Sequence, residues 1–289
     1  MNWEAALQEL ITRASAELPA DVAAALRAGR DREEPGSPAH AALSSLLDNI
    51  RLAQARRAPL CQDTGALLFF VEATPGLPQA PFRRAAEAAI RQATAAGILR
   101  PNSVDAITGR NSGDNLGPGA PVIHWREDEA IRHVTVSLLL KGGGSENMGA
   151  QFSLPDDALG ASRDLEGVRR CLLHAVQRAQ GMGCAPGILG VCIGGDRATG
   201  FAESKRQLLR PLGVRSPHPE LAALEERVVR EANTLGIGPM GVGGRTTLLG
   251  VAIGALNRLP ASYFVSVSYL CWAARRQTGR YRPDGTPLP

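Results

Sequence analysis

The sequence predicts an α/β fold, or a close α+β relative, and three observations carry that prediction. Short apolar runs alternate with stretches of helical periodicity along the whole chain. Glycines cluster where the predicted strands end. The 289 residues, 44% of them hydrophobic, suffice for one large core or two modest ones.

Residues 3–18, 22–28 and 41–58 repeat apolar residues at three- and four-residue spacing, which predicts three helices forming a surface layer over 1–58. LLFFVEA (67–73) reads as a strand, and 81–99 as a helix with Pro81 in its first turn. VIHW and VTVSLLL read as a hairpin turning around 126–130. Helices are predicted over 166–180, 201–209 and 219–235, with ILGVCI, TLLGVAIGAL and YFVSVSYL as strands. No internal repeat or long linker appears, so 1–289 reads as one unit with a motif-bearing core over 59–276. The polar, Pro- and Gly-containing tail 277–289 is expected to fray or to reach toward a partner.

Charge excludes some classes. The net charge of +4 comes from 32 basic and 28 acidic residues that are scattered, so no nucleic-acid footprint is expected. The opening MNWEAALQEL has neither the basic start nor the apolar run of a secretory signal, and no stretch approaches the roughly 20 apolar residues of a membrane span. A cytoplasmic protein without membrane or nucleic-acid partners is expected.

Five cysteines, at 61, 171, 184, 192 and 271, are too few and too dispersed for a disulfide framework, which shifts weight to metal binding or catalysis. Cys61 opens CQDTG before a strand, Cys184 lies in the flexible GMGCAPG, and Cys271 lies where a strand hands over to WAARR. Cys171 sits inside a predicted helix and Cys192 inside a predicted strand, so both read as core thiols. Three thiolates from distant parts of a chain can hold zinc or an iron–sulfur cluster, although no CxxC or HxxxH spacing marks a structural zinc site. A cubane held by only three cysteines leaves one iron open as a Lewis acid, an arrangement suited to removing water from a hydroxy acid. Glycine clusters at 142–144, 181–200 and 236–244 read as a shared anionic site lined by backbone N–H groups.

The segments PLCQDTGALLFFVE, RPNSVDAITGRNSGDNLGPGAPVIHW, LLLKGGGSENMGAQ, GMGCAPGILGVCIGGDRATGFAESKRQLL, NTLGIGPMGVGGRTTLLGVAI and LPASYFVSVSYLCWAARR run in this order from Pro59 to Arg276. Together they resemble the α subunit of class I fumarases and L(+)-tartrate dehydratases. The resemblance implies a two-lobed α/β fold around a buried 4Fe–4S cluster with one open iron, held by Cys61, Cys184 and Cys271. It also implies a small dicarboxylic acid substrate, bound by Gln62, Asp63, Arg100, Lys141 and Gly143, with Gln62 and Asp63 as the catalytic pair. Asn111, Asp114, Asn115, Ser145 and Glu146 are expected to line or support that site. Single-chain relatives continue into a further domain and two-subunit relatives carry it on a β chain, so the expected architecture is an α subunit with a β-subunit partner, as a heterodimer or heterotetramer.

One position departs from the resemblance. Fumarases of this kind have a histidine before the proline of the HPASYF-type motif, where this chain has Leu259, which cannot transfer a proton. None of His40, His124, His133, His174 and His218 falls in that motif. Two rival readings of the sequence exist. A nucleotide-binding loop in GIGPMGVGGRTT fails because the glycine required five positions before the Gly-Lys pair is Pro239 before Gly244-Arg245. A non-catalytic or redox-sensing iron–sulfur protein on the same scaffold keeps its motivation in Leu259.

Overall fold

The computed structural model describes residues 2–289. The first half of the chain forms α1 (Trp3–Ala16), α2 (Ala20–Arg32), α3 (Pro38–Arg56), β1 (Ala66–Ala73), α4 (Gln79–Ala95), β2 (Val122–Glu127) and β3 (Val134–Lys141). It continues as α5 (Gly143–Asn147), β4 (Ala150–Ser153), α6 (Leu165–Ala179), β5 (Gly187–Ile193), α7 (Arg197–Gln207), α8 (Pro219–Asn233), β6 (Leu248–Ala255), β7 (Phe264–Leu270) and β8 (Arg275–Tyr281). The fold is mixed α/β, as the alternating pattern predicts.

The chain divides into two compact units, each built from separated segments. Unit 1 comprises the chain up to Pro19, Asp48–Gly143 and Arg275–Pro289. Its sheet has the order β2-β1-β3-β8, with β1 parallel to β2 and the other pairs antiparallel. Val134, Val136, Leu138 and Leu140 point from β3 into a core completed by the apolar stripe Trp3, Leu7, Leu10, Ile11 and Ala14 of α1 and by Phe82, Ala86, Ala89 and Ile90 of α4. Trp3 meets the rings of Phe82 and Tyr281 at centroid distances of 5.1 and 5.3 Å.

Unit 2 comprises Ala20–Leu47 and Gly144–Ala274. Its sheet runs β4-β7-β5-β6, with β5 parallel to β6. All seven residues of β5 are buried. Helices α6 and α8 supply Val168, Leu172, Val176, Leu224 and Val228 to a separate core with Leu189, Val191, Ile253 and Val267 of the sheet. Asp164 caps α6 and Asp196 closes a capping box on α7, which fixes where both helices begin.

Three sequence expectations change. The β2–β3 hairpin does not form: β1 lies between those strands and pairs with both. The N-terminal helices are not a single layer, since α1 packs its apolar stripe into the core of unit 1 while α2 belongs to unit 2. The tail does not fray. Arg275–Tyr281 adds β8 to β3, and beyond it the chain returns to α1, with Trp3 Nε1 donating to the Pro283 carbonyl at 3.2 Å and the Asn2 amide donating to Asp284 O at 2.7 Å.

Candidate active site

In unit 1 the loop bearing Cys61 joins α3 to β1 and lies against the turn that follows β3. The Gly143 amide donates to Asp63 Oδ2 at 2.8 Å. A Cβ on Gly142 would stand 2.7 Å from the same oxygen, and one on Gly65, at φ +81°, would stand 2.6 Å from the Lys141 carbonyl. Both positions therefore need glycine for this close approach. Thr64, buried, carries the next link: its Oγ1 accepts from the Arg100 amide at 3.0 Å. The backbone of Arg100 is thereby fixed beside the CQD loop while its side chain is exposed. Cys61 and Asp63 are half-buried, Gln62 is exposed, and Lys141 is buried.

Asn111, Asp114 and Asn115 organise their own loop. Asn111 Nδ2 donates to Pro101 O at 2.9 Å, and Asp114 Oδ1 accepts from the Leu116 amide at 3.0 Å, a bond that holds the Asp114 carboxyl below its ordinary range. Buried Asn115, at φ +64°, accepts from the Asn102 amide at 2.7 Å and donates to Arg100 O and Thr94 Oγ1, both at 3.0 Å. Its contribution to the site is the placement of Arg100. The Gly143 amide, expected to meet a ligand, is engaged by Asp63.

In unit 2 the loop GMGCAPG is wrapped on Tyr269. A Cβ on Gly183 would stand 2.5 Å from the Tyr269 ring, and one on Gly187 would overlap it. Cys184 takes a left-handed conformation at φ +55°, donates its amide to Gly181 O at 3.0 Å and accepts from the Trp272 amide at 3.2 Å through its carbonyl. That last bond ties the Cys184 loop to the residue after Cys271. Burial pushes the Tyr269 hydroxyl up, and the Cys271 and Cys184 thiols add to the effect, so both sulfurs belong to the neighbourhood of this ring. The third glycine cluster supports the same loop: a Cβ on Gly181 would stand 2.6 Å from Met240 O. Buried Ser145 belongs to α5, which Glu146 ties to α7 through a 2.6 Å ion pair with Lys205.

The five thiols fall into two sets. Cys171 and Cys192 are fully buried, and burial pushes each up to about 12. A thiol held that far toward its protonated form is a poor metal ligand, because the thiolate is what coordinates. Cys184 is exposed, and Cys61 and Cys271 are half-buried. Cys61, Cys184 and Cys271 are the three thiols not sealed in a core, and thiols are the donor type that an iron–sulfur group takes. Among the described residues, no three His, Cys, Asp or Glu side chains stand together in a metal-holding group.

A family model for fumarate hydratase (Fumerase) matches residues 4–280. The chain belongs to the fumarate hydratase family. It is 48% identical over 276 residues to the Geobacillus stearothermophilus protein named "Putative fumarate hydratase class I", a match covering 93% of this chain and 53% of that protein. The chain thus spans about half the length of that relative. It is 32% identical over 265 residues to the L(+)-tartrate dehydratase subunit alpha of Escherichia coli K12, covering 91% of this chain and 86% of that subunit.

Within this fumarate hydratase family member, Leu259 occupies an exposed loop at 73% accessibility. Arg258 organises the loop by donating to the carbonyls of Leu259, Pro260 and Ser262 at 3.0, 3.1 and 3.2 Å while lying 4.7 Å from the Tyr263 ring centroid. No helix among the described residues is long and apolar enough to cross a membrane. Sequence reasoning missed Tyr269, although the two glycines flanking Cys184 by one and three residues were a signal that something bulky fills the space beneath the loop.

Proposed function

We propose that this chain is the cluster-bearing part of an iron–sulfur hydro-lyase of the fumarate hydratase or L(+)-tartrate dehydratase type, with Cys61, Cys184 and Cys271 as cluster ligands. The observation that carries this reading is the division of the thiols: two are sealed in cores, and the remaining three sit in the CQD, GCAP and CWA motifs. Family membership supports it. When bound, a cubane held by three thiolates supplies a Lewis-acidic iron open to hydroxyl and carboxylate oxygens.

The chain's own residues bind and orient the substrate. Arg100, exposed and anchored through its backbone, presents a planar guanidinium suited to a bidentate grip on a carboxylate. Gln62, exposed beside Cys61, offers a neutral donor and acceptor to the substrate hydroxyl. Asp63, aimed by the Gly143 amide, places a carboxylate acceptor in the same loop, where it can receive a proton. Lys141 supplies a buried positive charge at the adjoining strand end. Leu259 carries no proton, so the base that acts at carbon is assigned to a β-type partner chain or segment, in a cytoplasmic heteromer.

The test is anaerobic reconstitution with iron and sulfide, with and without a β-type partner, followed by assays with fumarate and L-tartrate separately. Turnover that requires the partner is the expected result. Full turnover of one substrate by this chain alone would overturn the partner assignment, and a loaded complex inert to hydroxy and unsaturated dicarboxylates would overturn the hydro-lyase reading.

A further inference from the structure

Arg275 is the first residue of β8, opposite Leu140 of β3, and only 1% of it is exposed. Its Nε and Nη1 are buried without a hydrogen-bond partner. An arginine does not shed its proton to escape this position, and a guanidinium sealed from water without partners for these nitrogens is costly to bury. A nearby anion would offset that cost.

Register shows which part of unit 1 this is. Leu140 is followed by Lys141, itself 2% exposed, which pairs with Ala66 at the start of β1. The loop of Cys61, Gln62 and Asp63 leads into that strand and lies against Lys141 to Gly143, with Gly65 packed on the Lys141 carbonyl. Arg276, opposite Leu139, is 7% exposed. Three buried basic residues therefore lie at the sheet end that carries Cys61, Arg275 on the face of Leu140, and Lys141 and Arg276 on the opposite face.

Burial decides what kind of anion this charge serves. A substrate must arrive and leave, so the side chain that grips it has to be reachable, as Arg100 is. Arg275 is sealed, and it suits a resident group. We propose that Arg275 is the fixed counter-charge of the anionic thiolate and sulfide assembly that Cys61 helps to hold, a positioning residue that stabilises the bound cluster through its field without touching substrate. This rests on the cluster reading above and assigns a role within it.

The test compares Arg275→Met, which removes the charge at similar length, with Arg275→Lys, which keeps a charge, each measured as the metal-free chain and after anaerobic loading with iron and sulfide. In the metal-free chain, Arg275→Met should melt at the same temperature as the wild type or higher, because it removes an uncompensated charge. After loading, the same variant should lose its cluster severalfold faster on exposure to a chelator and show a lower reduction midpoint by electron paramagnetic resonance titration, with Arg275→Lys restoring most of both. The inference falls if Arg275→Met destabilises the metal-free chain as much as the loaded one, or if cluster lifetime and midpoint do not move. A wild-type chain that never takes up iron would defeat the hydro-lyase reading, and the metal-free melting comparison would then judge Arg275 by itself.

Discussion

At the scale of single residues, the candidate site is a matter of which thiols can ionise within reach of a metal. Cys171 and Cys192 are pushed up to about 12 by burial, whereas Cys184 is exposed on a left-handed turn. Alkylating the metal-free folded chain near pH 8 and mapping the modified thiols by mass spectrometry should show Cys184 reacting first, then Cys61 and Cys271, with Cys171 and Cys192 protected until unfolding. Rapid labelling of either core thiol would contradict the division on which the ligand assignment rests. Glycine at 183 is a second residue-level requirement, because a Cβ there would stand 2.5 Å from the Tyr269 ring. Gly183→Ala is expected to destabilise the fold by about 1–3 kcal/mol, the usual range for overpacking a filled site, as read by chemical denaturation. An unchanged unfolding midpoint would show that Tyr269 does not hold the Cys184 loop. These cysteines were legible in the sequence because each stands at an element boundary in polar or glycine-rich company. Tyr269 was not, because an aromatic residue in an apolar strand reads only as core.

Among elements, the strands with strong apolar runs were legible, and their partners were not. YFVSVSYL and ILGVCI announce buried strands, but nothing in VIHW or VTVSLLL says that β1 comes between them, since side-chain alternation encodes a face and not a neighbour. RRQTGRY escaped detection because β8 is largely polar, its pairing to β3 being supplied by the backbone. The helix layer of unit 2 carries a pH signature. Arg169 and Arg227 join Glu166 of α6 to Glu231 of α8, and hydrogen bonding from Arg169 lowers Glu166 from 4.5 to about 2. A depressed carboxyl contributes stability that is fully present above the unfolded value near 4.5 and lost as pH falls through about 2. Because the Glu166 side chain is 43% exposed, solvent screening keeps the effect small. Thermal unfolding between pH 5 and pH 2 should therefore decline less steeply in Glu166→Gln than in the wild type, and equal slopes would remove this network from the account.

For the whole molecule, the sequence reads as one unit with a motif-bearing core over 59–276, and the division into two units was not legible in it. The reason is that each unit draws on separated segments: of the four crossings, Leu47 to Asp48 falls inside α3, and Gly143 to Gly144 and Ala274 to Arg275 fall inside glycine- and arginine-bearing motifs with no linker composition. The candidate ligands fall in different units, Cys61 in unit 1 and Cys184 and Cys271 in unit 2. The most direct test is iron and acid-labile sulfide per chain after anaerobic reconstitution, measured for the wild type and for alanine variants of all five cysteines. The account predicts close to four irons and four sulfides in the wild type, Cys171→Ala and Cys192→Ala. Cys61→Ala, Cys184→Ala and Cys271→Ala should each retain less than half. A wild-type chain that stays colourless and iron-free, or a Cys184→Ala chain that fills as completely as the wild type, would contradict it.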